Sequence, residues 1–303
     1  MREVRIPAYA KVNLRLEVLG KRADGYHELR TVFHTVSLHD TLELRASRKA
    51  DITLTIRGND ALSQEAAGKN LVYRAVDSLR NELKIRSGVD ITLHKKIPAG
   101  RGLGGGSSDA AAALLGYLQL TRGKIPTPRL IEIAATLGAD VPFFLFGGCA
   151  LGVGRGEEIY PLPEIPKRSI LIVSPEGIHV PTPDAYRWLE APQLDALTKS
   201  AAAPKLFRFC ALCWSAQGES LSNDFEQAVF QRHPRLGRIK RDLLQGGASE
   251  ALLAGSGSAV FGIYPSPAKA RRAAVGFPHD QTFVCETLSR NRYARLLKTA
   301  LVG

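Results

Sequence analysis

The sequence predicts an α+β fold arranged in two domains. Its 303 residues are many for a single hydrophobic core, and the apolar content is ample for burial, so two medium domains are favoured over one large one. Runs with the alternating polarity of strands are interspersed with runs that have the spacing of helices. Pro161, Pro163 and Pro166 interrupt this pattern after a glycine-rich strand pair. We therefore predict domains over residues 1–163 and 164–303.

The first half of the chain reads as strands, followed by helices on both sides of a glycine-rich loop. Strands are predicted over residues 4–19, 29–33, 41–45, 52–56 and 89–93. Asn70 is the predicted cap of a helix in which apolar residues recur at intervals of four and three. A further helix over Thr127–Leu137 ends at Gly138, a residue type common at helix C-termini.

The second half alternates strands with helices, as in α+β domains. Strands are predicted over residues 149–153, 157–160, 169–173, 251–253, 259–264 and 282–288. Helices are predicted to begin near Asn223 and to cover residues 236–244 and 267–274. Thr182 is predicted to cap a short helix around Tyr186. The alanine-rich residues 195–205 fit neither pattern.

The balance of charge indicates an anionic partner. The chain has 41 Lys and Arg against 29 Asp and Glu, a net charge of +12, which suits nucleotides, nucleic acids or acidic lipids. The basic residues are scattered, however, and the densest pairs are Lys95-Lys96 and Arg271-Arg272. Because the sequence has neither a basic stripe nor an RNA-binding motif, we do not expect it to bind nucleic acid.

The four cysteines do not have the even spacing of a disulfide framework. Cys210 and Cys213 form a lone CxxC pair, and a zinc site would need a second pair of ligands at matching spacing. We therefore expect all four cysteines, including Cys149 and Cys285, to be small core residues. We expect the protein to be in the reducing cytoplasm. Apolar runs are shorter than the roughly eighteen residues of a membrane span, so we expect no membrane partner.

A strand, a glycine loop and a helix follow one another between residues 89 and 115. Glycines stand at positions 100, 102, 104, 105 and 106, and Ser107 and Ser108 follow at the start of an alanine-rich helix. Glycine permits positive φ and close approach of the backbone to a ligand, and unpaired N–H groups at a helix N-terminus attract anions. The stretch predicts a phosphate-binding loop rather than a flexible linker.

Three common nucleotide-binding motifs do not fit this loop. A Walker A loop needs a lysine after its last glycine, but Ser107 follows Gly106 directly. Gly100, Gly102 and Gly105 match the dinucleotide fingerprint, yet the acidic residue expected about 20 positions later is missing. The downstream signatures of a protein kinase are missing as well.

The stretch from Pro98 to Ala111 resembles the second motif of the GHMP kinases, the superfamily of galactokinase, homoserine kinase and mevalonate kinase. Residues 10–14, 22–27 and 138–144 resemble the branch that phosphorylates 4-diphosphocytidyl-2-C-methyl-D-erythritol. The resemblance runs from about residue 7 to about residue 261.

This resemblance implies a two-domain GHMP kinase fold, with an N-terminal mixed sheet and helices, a C-terminal α/β sandwich and the active site in the cleft between them. It implies ATP-dependent phosphorylation of the 2-hydroxyl of that cytidine-diphosphate substrate, in the methylerythritol phosphate route to isoprenoid precursors, with ATP and Mg²⁺. Another small-molecule GHMP kinase and a non-catalytic nucleotide sensor on the same fold are the alternatives.

Two charged residues carry the implied chemistry. Lys11 and Asn13 share one face of a predicted strand, and the resemblance places the lysine beside the acceptor hydroxyl and the asparagine in the substrate pocket. Asp140 would accept the proton of that hydroxyl, and Lys11 would keep the Asp140 carboxylate ionised. The residues by themselves also allow an exposed strand face with an incidental lysine, and an aspartate that caps a loop.

The remaining implied contacts divide between ATP and the substrate. The expected ATP-binding residues are Pro98, Gly100, Gly102, Leu103, Gly104, Gly105, Gly106, Ser107, Ser108 and Asn70, with Ser108 also the candidate for Mg²⁺. The expected substrate-binding residues, besides Asn13, are Tyr26, His27, Thr182, Tyr186, Gly255 and Ser256. The resemblance has Tyr26 and Tyr186 sandwich the cytosine. Core packing would explain Tyr186 as well. Residues 254–258 resemble the third GHMP motif, but a tight hairpin would also explain their glycines.

Two residues depart from the family pattern. Arg101 stands where a small residue is expected, and it either adds a phosphate contact or points to solvent. Asp109 stands where some relatives have asparagine, and its carboxylate either assists Mg²⁺ or favours the helix N-terminus.

Overall fold

Two β-sheets form the frame of the protein in a computed structural model that describes residues 2–189 and 221–299. The ambiguous stretch at residues 195–205 and the CxxC pair, Cys210 and Cys213, lie outside the described residues. The strands are β1 (Glu3–Lys21), β2 (His27–Ser47), β3 (Ile52–Arg57), β4 (Gly88–His94), β5 (Cys149–Gly154), β6 (Glu158–Pro161), β7 (Ser169–Ser174), β8 (Ser222–Asn223), β9 (Glu250–Leu253), β10 (Val260–Tyr264) and β11 (Gln281–Glu286).

Helices flank both sheets and connect their strands. They are α1 (Asp60–Ser63), α2 (Leu71–Glu82), α3 (Gly105–Thr121), α4 (Thr127–Leu137), α5 (Phe143–Phe146), α6 (Thr182–Trp188), α7 (Phe225–Arg232), α8 (Pro234–Gln245), α9 (Pro267–Ala274) and α10 (Arg290–Thr299). The α+β class and most of the elements expected from the pattern of apolar residues are confirmed.

The first sheet is mixed, as predicted. Its main strand order is β3-β4-β2-β1-β8, while β5 pairs with another part of β2 and with β6. The pairs β3-β4 and β1-β8 are parallel, and the other pairs are antiparallel. The second sheet is antiparallel throughout, in the order β11-β7-β10-β9. Its strands come from residues after the proline-rich stretch.

The sheets and helices stack in layers. One core lies between the first sheet and helices α2, α3 and α4, and includes Ile6, Leu44 and Leu79. A second core joins the two sheets and includes Val12, Ile172 and Phe261. A third core lies between the second sheet and helices α6 to α9. Burial of apolar side chains on both faces of each sheet is the main stabilising contribution to this arrangement.

Helix α3 lies in the middle of the first core, and its alanines allow close packing. Residues Ala110 to Leu114 are all buried, so the helix is apolar around most of its circumference. At Gly116 an added Cβ would come within 2.8 Å of a methyl group of Leu44, so a larger residue there would require Leu44 to shift where the helix crosses β2. This packing fixes the first turn of α3 beside the glycine loop.

Strand β2 corrects the prediction of two separate strands over residues 29–33 and 41–45. It is continuous, because the polar residues between those segments form tertiary hydrogen bonds. The hydroxyl of Thr35 donates to the carbonyl of Leu288 and accepts from the amide of Gly148. The carboxylate of Asp40 accepts from the amide of Ile97. None of these partners is close to β2 in the sequence.

The predicted cap of α6 is also corrected. Pro181 occupies the N-cap position, and Thr182 is the first helical residue and makes no capping hydrogen bond. Its hydroxyl lies instead 3.0 Å from the hydroxyl of Ser256. The capping prediction for Asn70 is confirmed, since Asn70 Oδ1 accepts from the amide of Val72 at 2.9 Å.

The boundary between residues 163 and 164 stays a prediction. Residues from beyond it contribute to the first layers, because β8 pairs with β1 and α10 packs against the first core. Within α10, Tyr293 Oη donates to the carbonyl of Phe144, and the Tyr293 ring lies 5.6 Å from that of Tyr9. The two described cysteines, Cys149 and Cys285, are free and buried, as expected of small core residues.

Candidate active site

One cleft of about 1390 Å³ brings together the motifs that the sequence singled out. Every predicted site residue lines it except Ser108, which is buried in the first turn of α3. The lining residues include Lys11, Asn13, Tyr26, His27, Asn70, Pro98, Gly100, Gly102, Leu103, Gly104, Gly105, Gly106, Ser107, Asp140, Thr182, Tyr186, Gly255 and Ser256. These residues come from both the first and the second half of the chain.

Lys11 and Asp140 form an ion pair at the centre of the cleft. The distance from Lys11 Nζ to Asp140 Oδ2 is 3.6 Å. Asp140 follows α4 in a tight turn in which the amide of Val141 donates to the carbonyl of Gly138. The lysine side chain is only 5% exposed, whereas the aspartate side chain is 32% exposed. The carboxylate is thus open to a ligand, and a buried cation lies beside it.

The lysine is held in place by a chain of hydrogen bonds along β1 and β2. Lys11 Nζ donates to Asn13 Oδ1 at 2.7 Å, and Asn13 Nδ2 donates to Thr31 Oγ1 at 2.7 Å. Thr31 in turn donates to the carbonyl of Arg15. The possibility of an exposed strand face with an incidental lysine is therefore wrong. The alternation of β1 placed the two polar residues together but could not show that a second chain segment covers them.

The glycine loop is locked between β1 and the β9-β10 hairpin. The amide of Lys11 donates to the carbonyl of Leu103 at 3.0 Å, and the amide of Ala259 donates to the carbonyl of Arg101 at 3.2 Å. Gly102 has a φ of +78°, and a Cβ there would lie 1.8 Å from the carbonyl oxygen of Ala254. Only glycine fits this contact. The hairpin predicted at residues 254–258 is confirmed, and it contacts the loop directly.

Arg101 points neither to solvent nor freely into the cleft. Its guanidinium donates to the hydroxyl of Ser258 at 2.5 Å, and that hydroxyl donates to the carbonyl of Ile178. Partial burial lowers the pKa of Arg101. The arginine therefore connects the glycine loop to the side of the cleft that the second sheet forms.

The other end of the cleft is aromatic. Tyr186 stacks on His27, with ring centroids 4.6 Å apart and an interplanar angle of 22°, and its ring is perpendicular to that of Phe225. Tyr26 is 56% exposed, with the guanidinium of Arg155 above its ring, 4.9 Å from the centroid. Both tyrosines line the cleft, and the sandwich of cytosine between them stays a prediction.

Electrostatics at this end favour neutral rings. Burial, with a smaller effect of the nearby Asp140 carboxylate, raises the pKa of the Tyr186 hydroxyl. Burial and the charge of Lys21 lower the pKa of His27. A neutral imidazole on a neutral phenol ring forms a flat surface suited to stacking with another ring.

A buried charged cluster below the glycine loop was missed by the sequence reasoning. Lys95 Nζ donates to Asp40 Oδ2 at 2.5 Å and to Asp109 Oδ2 at 2.7 Å, and all three side chains are buried. Burial opposes a charge on Lys95, but the carboxylates of Asp109 and Asp40 outweigh this effect and raise its pKa. Burial, together with the nearby charge of Asp40, raises the pKa of Asp109, and the charge of Lys95 opposes this effect. Neither role first considered for Asp109 anticipated this ion pair.

The sequence did contain a signal for this cluster. Lys95 continues the buried alternation of Ile91 and Leu93, and Asp40 stands two residues before the buried Leu42. A charged residue in register with a buried strand face needs a partner of opposite charge. Arg155, by contrast, had no comparable signal, because only the folded turn places it above Tyr26.

The comparisons with known proteins show the family of this chain. The family model described as GHMP kinases N terminal domain matches residues 70–148, and the model described as GHMP kinases C terminal matches residues 208–279. A 4-diphosphocytidyl-2-C-methyl-D-erythritol kinase from Solibacter usitatus is 44% identical, with 99% of this chain and 93% of the relative covered. The chain belongs to the GHMP kinase family.

Further relatives of this GHMP kinase have the same name as the Solibacter protein or share its fold. A 4-diphosphocytidyl-2-C-methyl-D-erythritol kinase from Citrifermentans bemidjiense is 41% identical, with 90% and 94% of the two chains covered. A crystal structure of 4-(cytidine 5'-diphospho)-2C-methyl-D-erythritol kinase superimposes with a TM-score of 0.75, at 35% identity over 93% of this chain and 98% of that one. Homoserine kinase from Cytophaga hutchinsonii shares the fold, with a TM-score of 0.70 at 23% identity over 95% of each chain.

The predicted two-domain GHMP kinase fold is thereby confirmed, and the match to the Solibacter relative extends over the last forty residues too. As a member of this family, the GHMP kinase uses ATP and a small-molecule acceptor. Within residues 2–189 and 221–299, every helix is too short or too polar to span a bilayer. Over the same residues, no three His, Cys, Asp or Glu side chains are grouped as metal ligands.

Proposed function

We propose that this GHMP kinase transfers the γ-phosphoryl group of ATP to the 2-hydroxyl of 4-diphosphocytidyl-2-C-methyl-D-erythritol, a step of the methylerythritol phosphate route to isoprenoid precursors. The observation that carries the proposal is the Lys11–Asp140 pair, which lies in the same cleft as the glycine loop and the His27–Tyr186 stack. Relatives at 44% and 41% identity carry the name of this activity.

The glycine loop is the proposed site of the triphosphate. Phosphoryl transfer depends on positioning and on neutralisation of charge more than on covalent help from the protein. Backbone N–H groups from Gly102 to Ser107 supply hydrogen-bond donors, and Asn70 at the start of α2 lines the same cleft. The other proposed ATP contacts are Pro98, Gly100 and Ser108.

Mg²⁺ belongs to this proposal, and the chemistry of one residue fits it. Mg²⁺ in kinases binds oxygen ligands, often few from the protein and the rest from phosphates and water. The buried hydroxyl of Ser108 has no hydrogen-bond partner among the described residues, so it is an available oxygen at the start of α3. The ion would supply neutralisation of the phosphate charge.

Asp140 is the proposed proton acceptor. Its carboxylate is accessible from the cleft, and the fixed ammonium of Lys11 lies 3.6 Å away. Lys11 also lies where a cation can stabilise the oxygen from which the proton leaves. A base that acts by accepting a proton in the transition state typically contributes about 10²- to 10⁴-fold in rate.

The aromatic end is the proposed site of the cytidine. Tyr186, His27 and Tyr26 line this end of the cleft, and the nitrogens of His27 can hydrogen-bond to a base edge. The other proposed acceptor contacts are Asn13, Thr182, Gly255 and Ser256. Thr182 and Ser256, both from the second half of the chain, already bond to each other at this wall.

A coupled assay of ADP release tests the proposal. Purified protein with ATP and Mg²⁺ should release ADP with the cytidine-diphosphate substrate and much less with mevalonate, homoserine or galactose. Preference for one of the other acceptors would indicate a different small-molecule kinase of the family. Nucleotide binding without ADP release from any acceptor would indicate a non-catalytic sensor.

Two further parts of the proposal concern organisation and location. We propose that the ATP-binding domain ends near residue 163 and that residues from 164 onward form the second domain. A cytoplasmic location goes with the proposed activity, and the free, buried thiols of Cys149 and Cys285 suit a reducing compartment.

A further inference from the structure

The charged cluster below the glycine loop connects both ends of that loop. Lys95 immediately follows β4 and precedes the loop, whereas Asp109 lies in the first turn of α3, after the loop. A single ammonium, Lys95 Nζ, lies 2.7 Å from Asp109 Oδ2 and 2.5 Å from Asp40 Oδ2. The side chains of all three residues are at most 4% exposed. The lysine thus bridges the chain where it enters the loop and where it leaves.

Asp40 extends this connection to the backbone. Its Oδ1 accepts hydrogen bonds from the amides of Lys96 and Ile97, the latter at 2.8 Å. The amide of Lys95 donates to the carbonyl of Arg57 at 2.8 Å. The entering limb of the loop is therefore held both by strand pairing and by a buried carboxylate from β2.

The first residue of α3 rests directly on the cluster. A Cβ at Gly105 would lie 3.4 Å from Lys95 Nζ and 3.0 Å from a methyl group of Ile97. The ammonium therefore lies close to the start of the helix, where a larger residue than glycine would crowd it. Lys95 and Asp109 also line the cleft, so the cluster lies directly beside the proposed triphosphate site.

A glycine-rich loop needs such a restraint to bind phosphate well. Glycine loses more conformational freedom on ordering than any other residue, and five of the seven residues from 100 to 106 are glycine. Amide groups stabilise an anion most when they are already oriented before it binds. A connection across the base of the loop supplies that orientation in the protein itself.

We propose that Lys95, Asp40 and Asp109 are positioning residues that hold the glycine loop in its ATP-binding conformation. They act through the loop backbone and determine affinity for the nucleotide rather than for the acceptor. The inference rests on the proposed function only in assigning the triphosphate to this loop.

Two substitutions of Asp109 separate the effect of its charge from the effect of its hydrogen bond with Lys95. Asp109→Ala removes the carboxylate and its contact with Lys95. Asp109→Asn keeps the shape, and its amide oxygen can still accept the hydrogen bond from Lys95. Asp280→Ala is the matched control, because the Asp280 side chain is only 6% exposed, accepts from the guanidinium of Arg235 at 2.7 Å and from a backbone amide, and does not line the cleft.

Binding of a non-hydrolysable ATP analogue is measured by calorimetry, and KM for ATP and for the acceptor by ADP release. We expect Asp109→Ala to weaken analogue binding and to raise the KM for ATP by about tenfold or more, with the KM for the acceptor changed less than about twofold. Asp109→Asn should stay within about threefold of wild type, and Asp280→Ala should keep wild-type nucleotide affinity.

Equal changes in both KM values, or unchanged nucleotide affinity in folded Asp109→Ala, would overturn the inference. Folding is monitored by circular dichroism. If Asp109→Ala does not fold, the same measurements on Asp40→Asn decide, because the asparagine fills the same space and weakens the contacts with Lys95 and the two amides. A wild-type protein that binds the analogue but phosphorylates no cytidine-diphosphate acceptor would contradict the proposed function and leave the binding test intact.

Discussion

Lys11 and Asp140 combine a fixed cation with an accessible carboxylate. Lys11 Nζ lies 3.6 Å from Asp140 Oδ2, and its hydrogen bond to Asn13 holds it against β1. The ring of Phe33 also lies 5.5 Å from the ammonium. Because the lysine is anchored on three sides, a ligand hydroxyl that enters the cleft can approach the carboxylate without displacing the cation.

Replacement of Asp140 by asparagine should remove the proton acceptor and keep the shape of the site. We expect kcat to fall by about 10²- to 10⁴-fold, the usual contribution of a general base, while the affinity for a non-hydrolysable ATP analogue changes little. Steady-state kinetics and calorimetry measure the two effects. Asp90→Asn, at an exposed position on β4 where the side chain accepts from Thr53, is the control. Wild-type turnover by Asp140→Asn would contradict the assigned role.

Replacement of Tyr186 by alanine should selectively weaken binding of the acceptor. Stacking of a base on an aromatic ring contributes about 1–3 kcal/mol, so we expect the KM for the cytidine-diphosphate substrate to rise roughly ten- to a hundredfold and the KM for ATP to stay constant. Tyr186→Phe keeps the ring against His27 and Phe225, and should remain close to wild type. An equal loss in both variants would show that the hydroxyl, not the ring, matters.

Replacement of Gly102 by alanine should displace the glycine loop. The added Cβ would lie 1.8 Å from a backbone oxygen of Ala254, and the φ of +78° disfavours any side chain. We expect a lower midpoint of thermal unfolding and a loss of nucleotide affinity, measured by differential scanning fluorimetry and calorimetry. Gly68→Ala, at a position where an added Cβ meets nothing within 4 Å, should be tolerated. A stable Gly102→Ala protein with normal affinity would contradict the packing described.

His34 should make the fold sensitive to acid. Burial lowers its pKa in the folded protein, its Nδ1 bonds to the carbonyl of Thr35, and Nε2 has no partner. Below about pH 6.5, the usual value for histidine, the unfolded chain therefore binds more protons than the folded one, and the free energy of unfolding decreases as the pH falls.

Denaturant unfolding measured between pH 8 and pH 5 tests this prediction. His34→Gln should lose part of the acid-dependent decrease in stability, because glutamine does not titrate in this range. The same substitution at the exposed His279 serves as the control. A pH profile of His34→Gln parallel to that of wild type would show that other groups cause the effect.

Much of this protein was predictable from short stretches of sequence. The glycine loop before an alanine-rich helix, the cap at Asn70 and the hairpin at residues 254–258 depend on residues that are neighbours in the chain, so the local backbone preferences that create them are visible in the sequence. The resemblance of four such stretches to one family was enough to predict the fold, which the comparisons confirmed.

Only the tertiary structure decided which distant side chains meet. It brought Asp140 to Lys11, stacked His27 on Tyr186, and buried Lys95 between two carboxylates. The physical reason is that these contacts depend on how layers of the fold stack and on where a turn directs its side chains. Alternation along a strand gives the face on which a residue lies, but the segment that covers that face is chosen by packing of the whole chain.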